Sequence, residues 1–421
     1  MSVRQPPVTV ALIDPLWFGH HPMYFAQFTT AFLGVGARVI GLCPQPEAAT
    51  REAIVAGESR GVRDVGSRIS MHLLPAGRRS WFGNRYEGDP ITTFRRWRAA
   101  SDTLHEAEAA TGWKADLLYF PYLDSYLRFL PLPLVPDHFI KRPWSGLYLR
   151  NGHHAETACS VKAKIRLLAK GDVLIRSRKC LELGVLDERF NDALGHYTGK
   201  PVVSYPDATI TDLPAKPSDL AQQILTAARG RKIIGLIGLE RRKGLMTILR
   251  VALEAHERRL PWFFVCGGTF SRSLFTAEDL TLIDRVIGQL DSGGMDNLHF
   301  RPDATRIPTD ADFNSLFTTF DIAWTAYEGF QGSSGALSKA ACFNIPALAT
   351  AGECIGNRVE TYRIGLTIPE ANVGKAIEAI DHLLAGQDWD GQALNPRYQE
   401  FRQLHSLDRL DEIIRALVAK V

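Results

Sequence analysis

The sequence predicts an α/β protein made of two Rossmann-like domains that face each other across a cleft. The length is the first observation, because 421 residues suit two domains better than one. The second is the start of the chain, where a βαβ unit can be read directly. The third is that the alternation of short apolar runs and helix-like stretches begins again after residue 216.

The first half of the chain reads as strands separated by helices. The β-branched run at 8–14 is typical of a buried parallel strand, and an apolar helical stretch at 22–36 leads to a second strand at 37–44. These three segments form the βαβ unit. Further elements are predicted in the same half: a helix at 92–111 and strands at 116–122, 146–150, 172–177 and 201–207.

The second half repeats this organisation and ends in a separate helical segment. The predicted strands are 232–238, 262–268, 297–302 and 321–327, and the predicted helices are 245–258 and 312–320. The resulting domains are 1–206 and 207–395. We expect 396–421 to form a C-terminal helix that can pack back on the first domain.

Bulk composition excludes several classes of protein. The net charge of +3 implies no nucleic-acid partner. Six cysteines without a C-x-x-C pair argue against a zinc site and against a disulfide framework. The sequence shows neither a signal peptide nor a run of about 20 apolar residues. We therefore expect a reduced, soluble, cytoplasmic protein.

Loops at the carboxyl ends of parallel strands are the candidate sites in such a fold. One of them contains Gly332, Ser333, Ser334 and Gly335, directly before a short predicted helix. Glycines let the backbone approach a ligand, serine hydroxyls can donate to phosphate oxygens, and a helix N-terminus favours anions. The alternative is an ordinary serine N-cap without a ligand.

A row of cations follows the predicted strand at 232–238. Arg241, Arg242 and Lys243 are consecutive and come shortly after Gly238. Like charges in a row repel each other unless an anion or solvent lies nearby. Since this turn and the glycine–serine loop should open at the same sheet edge, they predict a diphosphate site together. A solvated surface patch is the alternative.

These stretches resemble the C-terminal half of the retaining GT-B glycosyltransferases, in particular those like family 4 (glycosyl transferases group 1). The family has a glycine, an arginine and a Lys-Gly pair after a strand, matched here by Gly238, Arg241 or Arg242, and Lys243-Gly244. It also has motifs similar to "FDIAWTAYEGFQG" and "SKAACFNIPALAT". The resemblance covers most of residues 230–385 and is looser in the first half.

The chain departs from the family at a pair of positions. Family members carry two glutamates eight positions apart, and the second usually binds the ribose hydroxyls of the nucleotide. Counted back from Pro346, these positions hold Gln331 and Lys339. A lysine cannot accept hydrogen bonds from a diol, so Lys339 either binds phosphate in an atypical cradle or points to solvent.

The resemblance implies transfer of a sugar from a nucleotide diphospho-sugar to a hydroxyl acceptor, with retention and without a metal or cofactor. The second domain would bind the donor, and the first would bind a glycan, lipid-linked or small-molecule acceptor. The cations and the helix start would stabilise the leaving diphosphate. Glu328 would face the sugar hydroxyls, and Gln331 is a rival for that role.

Polar residues after strands of the first domain are candidates for acceptor chemistry. Tyr122 and Asp124 could position or deprotonate a hydroxyl, although Asp124 could equally be a helix cap. The histidine pairs at 20–21 and 153–154 also suggest a metal site, but adjacent residues seldom bind one ion together. The full set of candidates is Gly19, His20, His21, Tyr122, Asp124 and, for an acidic group, Arg150.

The stretch 160–180 is rich in Lys and Arg and contains a short apolar series. Such a basic helix suits peripheral contact with an anionic membrane, and a solvated helix packed on its domain is the alternative. Two further functions stay open beside glycosyl transfer. One is a non-catalytic GT-B binding or partner protein, favoured by Lys339 and Gln331. The other is a sugar-nucleotide epimerase, which needs no acceptor.

Overall fold

The computed structural model describes residues 7–75, 90–127, 134–149, 172–300, 307 and 309–421. The chain divides into two compact units. The first comprises Met1–Pro206 and Leu407–Val421, and the second comprises Asp207–Ser406. None of the helices in the described residues has the length and apolar character that crossing a membrane requires.

The first unit contains a seven-stranded parallel sheet with the order β3-β2-β1-β4-β5-β6-β7. The strand order reverses between β1 and β4, which pair directly. The strands are β1 (Thr9–Ile13), β2 (Arg38–Cys43), β3 (Ile69–Leu73), β4 (Leu117–Phe120), β5 (Trp144–Leu147), β6 (Cys180–Val185) and β7 (Val202–Ser204). The helices are α1 (His21–Gly34), α2 (Pro46–Ser59), α3 (Val65–Arg68), α4 (Pro90–Thr111), α5 (Leu134–Phe139) and α6 (Asn191–Thr198).

β1 illustrates why the strands of this sheet are continuous apolar runs. Ala11 and Ile13 belong to the core on one face of the sheet, and Val10 and Leu12 belong to the core on the other. Successive side chains of a strand point to opposite faces, so a sheet covered by helices on both sides buries every position. All five residues of β1 are buried accordingly.

The second unit contains a six-stranded parallel sheet with the order β10-β9-β8-β11-β12-β13. This is the Rossmann order, which reverses between β8 and β11. The strands are β8 (Lys232–Ile237), β9 (Trp262–Gly267), β10 (Leu298–Phe300), β11 (Ile322–Thr325), β12 (Ala347–Thr350) and β13 (Gly365–Ile368). The helices are α7 (Asp219–Ala228), α8 (Leu245–Glu257), α9 (Ala277–Asp291), α10 (Asp310–Phe317), α11 (Gly335–Cys342), α12 (Cys354–Tyr362), α13 (Val373–Leu384) and α14 (Tyr398–Leu404). The predicted α/β class with two Rossmann-like domains is confirmed.

The last helix, α15 (Leu407–Val418), packs against α1 of the first unit. Its apolar residues recur at helical spacing, which gives the helix one apolar face. These residues belong to the same buried core as the apolar side of α1: Leu410, Ile413, Ile414 and Leu417. Burial of this face ties the end of the chain to the first unit.

Some strands of the first unit differ from the sequence-based expectation. The run predicted as a strand at 172–177 is a 3-10 helix, Asp172–Arg176, and the neighbouring strand is β6 instead. A short apolar run looks the same in a buried helical turn as in a buried strand. β6 was hidden because Glu182 and Gly184 interrupt its apolar pattern.

Candidate functional site

The candidate site of the second unit lies at the carboxyl ends of β8 and β11, where the strand order reverses. Open parallel sheets bind their ligands at this point. After β8 the chain makes a 3-10 turn, Arg241–Lys243, and continues into α8. After β11 it passes through the loop that contains Glu328 and enters α11. The two loops predicted to act together are thus neighbours.

Gly244 allows these two loops to touch. Its φ is +79°, in the left-handed region that favours glycine. A Cβ at this position would lie 2.2 Å from the carbonyl oxygen of Ala326, which is far inside van der Waals contact. A glycine is therefore required for the turn to approach the end of β11.

Hydrogen bonds join the two loops directly. The backbone N–H of Glu328 donates to the carbonyl oxygen of Arg242 at 2.8 Å. The Thr247 hydroxyl, in the first turn of α8, donates to Glu328 Oε1 at 2.6 Å. The Arg242 guanidinium lies 5.2 Å from the centroid of the Phe330 ring. The Glu328 carboxylate is thus held at the junction by one of its two oxygens.

The three cations of the turn have different surroundings. Arg241 pairs with Asp279 at 3.0 Å, and Arg242 pairs with Glu240 at 2.6 Å. The half-buried Lys243 instead donates from its ammonium to the carbonyl oxygen of Ile237 at 3.1 Å. Two of the three cations are thus paired with carboxylates, and the Lys243 ammonium lies against the end of β8.

The pKa of Asp279 reflects this pairing. Burial works against its charged form, but hydrogen bonds from Thr276 and the Arg241 guanidinium outweigh burial and hold the pKa below its usual range. Asp279 is also part of the capping box of α9, in which its carboxylate accepts from the Thr276 backbone N–H. The first cation of the turn is therefore fixed to a helix start.

The start of α11 lies on the other side of Tyr327. The Lys243 ammonium is 5.6 Å from the centroid of the Tyr327 ring, and the Tyr327 hydroxyl accepts from the Ser334 hydroxyl at 3.0 Å. Ser334 is the N-cap residue of α11. Gly335 is exposed, and a Cβ at this position would meet no atom within 4 Å, so the space beside this residue is open.

Ser333 is bound to two charged groups of the protein. Its hydroxyl donates to Asp207 Oδ2 at 2.5 Å and accepts from the Arg358 guanidinium at 2.6 Å. Arg358 is only 2% exposed, and Asp207 is 9% exposed. The hydroxyl of Ser333 therefore joins a buried cation to a largely buried anion. Gly332 lies against the Phe330 ring, where a Cβ would come within 3.3 Å.

Lys339 is buried, and it does not point to solvent. Its ammonium donates to the carbonyl oxygen of Ile210 at 3.0 Å and to Asn314 Oδ1, and it lies 5.1 Å from the centroid of the Phe313 ring. Burial lowers the pKa of the Lys339 ammonium, and Asp310 opposes this shift. The lysine thus joins the segment after Asp207 to α10 and α11 within the second unit.

The predicted residues of the first unit gather at the carboxyl ends of β1 and β4. His21 is 1% exposed, binds Asp14 through Nδ1 at 2.8 Å and stacks on Tyr122 with ring centroids 4.0 Å apart. His20 is exposed, so the two adjacent histidines face different surroundings. Asp124 is buried and accepts from the backbone N–H of Leu149 at 2.9 Å.

Gly19 has a φ of +59° and lies on the exposed turn between β1 and α1. Gly238 also has a positive φ, and the Lys243 side chain covers it. Gln331 is exposed in the loop before α11. Arg150, the histidine pair at 153–154 and residues 160–171 of the basic stretch lie outside the described residues.

Sequence reasoning missed four groups at these sites: Asp14, Asp207, Thr247 and Arg358. Burial makes them significant, and burial is not visible in one sequence. One signal was available for Arg358. It stands beside Ile355 and Val359, which are apolar core positions of α12, and an arginine at such a place needs a partner.

Solved structures of similar fold share this architecture. A sucrose-phosphate synthase from Thermosynechococcus elongatus is 16% identical with a TM-score of 0.65, covering 98% of this chain and 100% of that chain. HepE from Anabaena, in complex with UDP and glucose, is 11% identical with a TM-score of 0.63, covering 98% and 100%. A UDP-forming trehalose-phosphate synthase from Burkholderia xenovorans is 11% identical with a TM-score of 0.60, covering 99% of both.

The chain has the GT-B fold. The likeness extends over nearly the whole length of each of these proteins, and it includes both Rossmann-like domains. No protein-family model matches the chain, and no curated protein matches it. At identities of 10–16% the likeness establishes the fold, and activity has to be argued from the site.

Proposed function

We propose that this protein is a glycosyltransferase that moves a sugar from a nucleotide diphospho-sugar to a hydroxyl acceptor. The observation that carries the proposal is the junction at the end of β8. There the Glu328 N–H binds the Arg242 carbonyl, beside the Lys243 ammonium. In support, similar structures include a sucrose-phosphate synthase and a protein in complex with UDP and glucose.

The diphosphate of the donor would lie between the turn and the start of α11. Arg242 and Lys243 would stabilise the negative charge that develops on the leaving diphosphate. The Gly335 and Ala336 N–H groups begin α11 and cannot pair with carbonyl groups of the helix, whereas the Leu337 N–H already donates to the Ser334 carbonyl at 3.0 Å. Because Gly335 is exposed, an anion would have access to the first two N–H groups. Because these groups supply the charge, we propose that transfer needs no metal ion. Retention is proposed from the family resemblance.

Glu328 would bind hydroxyl groups of the donor sugar. Thr247 occupies Oε1 of its carboxylate, and a carboxylate has acceptor sites on both oxygens. Gln331, exposed in the same loop, is the rival for this role. Substitution of each residue in turn, with the donor KM as readout, decides between them.

The first unit would bind the acceptor at the carboxyl ends of β1 and β4. His20 and Asp124 are the proposed groups for taking or positioning the hydroxyl proton. Asp124 is the better fixed of the two, because the Leu149 N–H holds one of its oxygens. A glycan, a lipid-linked molecule or a small hydroxyl compound would serve, and a cytoplasmic site of action with membrane contact through 160–180 is proposed with it.

The first experiment is calorimetric titration of the protein with UDP, GDP, ADP and dTDP. We expect one of them to bind in the micromolar range and Lys243→Ala to weaken that affinity roughly 10- to 100-fold, as the loss of a charge-assisted contact would. Arg250→Ala is the control, because this arginine is an exposed cation on α8. Equal affinity for wild type and Lys243→Ala would refute the site.

A product assay separates the enzyme from the two other functions. Incubation with the matching nucleotide sugar and an acceptor should release the nucleoside diphosphate and a glycoside, in the presence of EDTA as well. The anomeric configuration of that product tests retention. Binding without turnover would favour a partner protein, and a changed sugar without any acceptor would favour an epimerase.

A further inference from the structure

We propose that the carboxylate of Asp207 is an internal competitor of the donor diphosphate for the hydroxyl of Ser333. This inference rests on the proposed function, since it concerns the same diphosphate site. It assigns an autoinhibitory role to a residue at the very start of the second unit, Asp207–Ser406. In the structure the competitor is bound, with Asp207 Oδ2 at 2.5 Å from Ser333 Oγ.

The chemistry of a hydroxyl makes this contact exclusive. A serine side chain has one O–H donor, and in this structure it points to Asp207. The Arg358 guanidinium donates to the same oxygen at 2.6 Å and so occupies one of its lone pairs. A phosphate oxygen can therefore accept from Ser333 only after the Asp207 carboxylate has left.

Charge makes the two occupants incompatible as well. A phosphate at Ser333 would place its negative oxygens within a few ångströms of the Asp207 carboxylate, where like charges repel strongly in a partly buried site. Arg358 would remain beside Ser333 and would favour either anion. The Asp207 carboxylate thus occupies the position beside the Ser333 hydroxyl that a negative phosphate oxygen would need.

Release of the competitor needs only a side-chain rotation. The backbone N–H of Asp207 donates separately to His405 Nδ1 at 3.1 Å. Three residues on, Ile210 is held by the Lys339 ammonium and by Asn314. The backbone of this segment therefore stays anchored when the carboxylate turns away. The segment does not have to unfold for the site to open.

The test compares the affinity of inorganic pyrophosphate for the wild type and for Asp207→Asn. The amide oxygen of asparagine can still accept from Ser333, so the loop keeps its contact while the charge is removed. We expect pyrophosphate to bind about tenfold more tightly to the variant, a change of about 1.4 kcal/mol. Asp212→Asn is the control, because it removes an exposed carboxylate of the same segment, and its affinity should match the wild type.

The outcomes separate this inference from the proposed function. If the wild type binds pyrophosphate and Asp207→Asn binds it equally or more weakly, the competitor is refuted while the diphosphate site stands. Binding by neither protein refutes both. As a measurement on the unchanged chain, hydrogen exchange of the peptide that contains Asp207 and Ile210 should be the same with and without saturating pyrophosphate, because only the Asp207 side chain turns. Faster exchange in the presence of pyrophosphate would contradict release by side-chain rotation.

Discussion

Replacement of Lys339 by methionine tests the structural role of a residue that the sequence places in the donor site. The ammonium has two acceptors, the Ile210 carbonyl and Asn314 Oδ1, and it lies over the Phe313 ring. Ile210 keeps a second donor after the substitution, since Asn314 Nδ2 also binds it at 3.1 Å. Asn314 Oδ1 loses the donor that the structure gives it, in a side chain that is fully buried.

The expected loss of stability follows from Asn314 Oδ1, which no longer has a donor in the variant. An unsatisfied buried acceptor costs about 1–3 kcal/mol, and the lost contact of the cation with the ring adds up to about 1 kcal/mol. Methionine fills most of the space and no longer buries a charge, which offsets part of the loss. We expect the free energy of unfolding to fall by about 2 kcal/mol in Lys339→Met. Lys339→Glu should be worse, because it sets a carboxylate against two acceptors.

Urea unfolding followed by circular dichroism and by tryptophan fluorescence measures these differences. Lys375→Met is the matched control, since Lys375 lies on α13 with its side chain 48% exposed, and it should stay within about 0.5 kcal/mol of the wild type. Equal stability of Lys339→Met and the control would contradict a structural role of the Lys339 ammonium. Equal stability of Lys339→Glu and Lys339→Met would contradict it as well.

Two further predictions concern the turn after β8. Gly244→Ala should lower the free energy of unfolding by at least about 2 kcal/mol, because the new Cβ meets the Ala326 carbonyl and the residue has a φ of +79°. Gly288→Ala is the control in the same urea titration, and it should be neutral or stabilising because Gly288 lies in open space on α9. Asp279→Asn should destabilise the protein at pH 7. Because the folded pKa of Asp279 is lowered, its contribution is complete above the ordinary value of about 3.9 and is lost as the pH falls through the folded pKa. Wild type and variant should therefore converge in acid, and a gap that stays constant with pH would contradict this.

Much of the fold could be predicted from periodicity, because both sheets are covered on two faces. Strands such as β1 and β9 are then nearly continuous apolar runs, and a helix such as α8 begins a few residues after its strand. β6 was not predicted because Glu182, which is buried within the strand, interrupts its apolar pattern. A polar residue inside a strand has a partner far along the chain, and one sequence does not show which.

The part of the site that could be predicted is the proximity of loops that follow neighbouring strands. Parallel strands bring their carboxyl ends to one edge, so the loops of Arg242 and Glu328 had to be near each other once their strands were known. Their actual contact depends on a glycine at 244, which the sequence displays. The interpretation of Lys339 as an ammonium directed to phosphate or to solvent rested on sequence position alone.

The sequence by itself determined the α/β class, the two Rossmann-like halves and the row of cations after β8, because these follow from local patterns of apolar, glycine and basic residues. Only the tertiary structure decided what each polar group binds. In the folded chain Ser333 binds Asp207 and Arg358, and Lys339 binds Asn314. The physical reason is that hydrogen-bond partners of buried groups are chosen by distance in space, and separations such as the 126 residues between Asp207 and Ser333 leave no trace in local sequence.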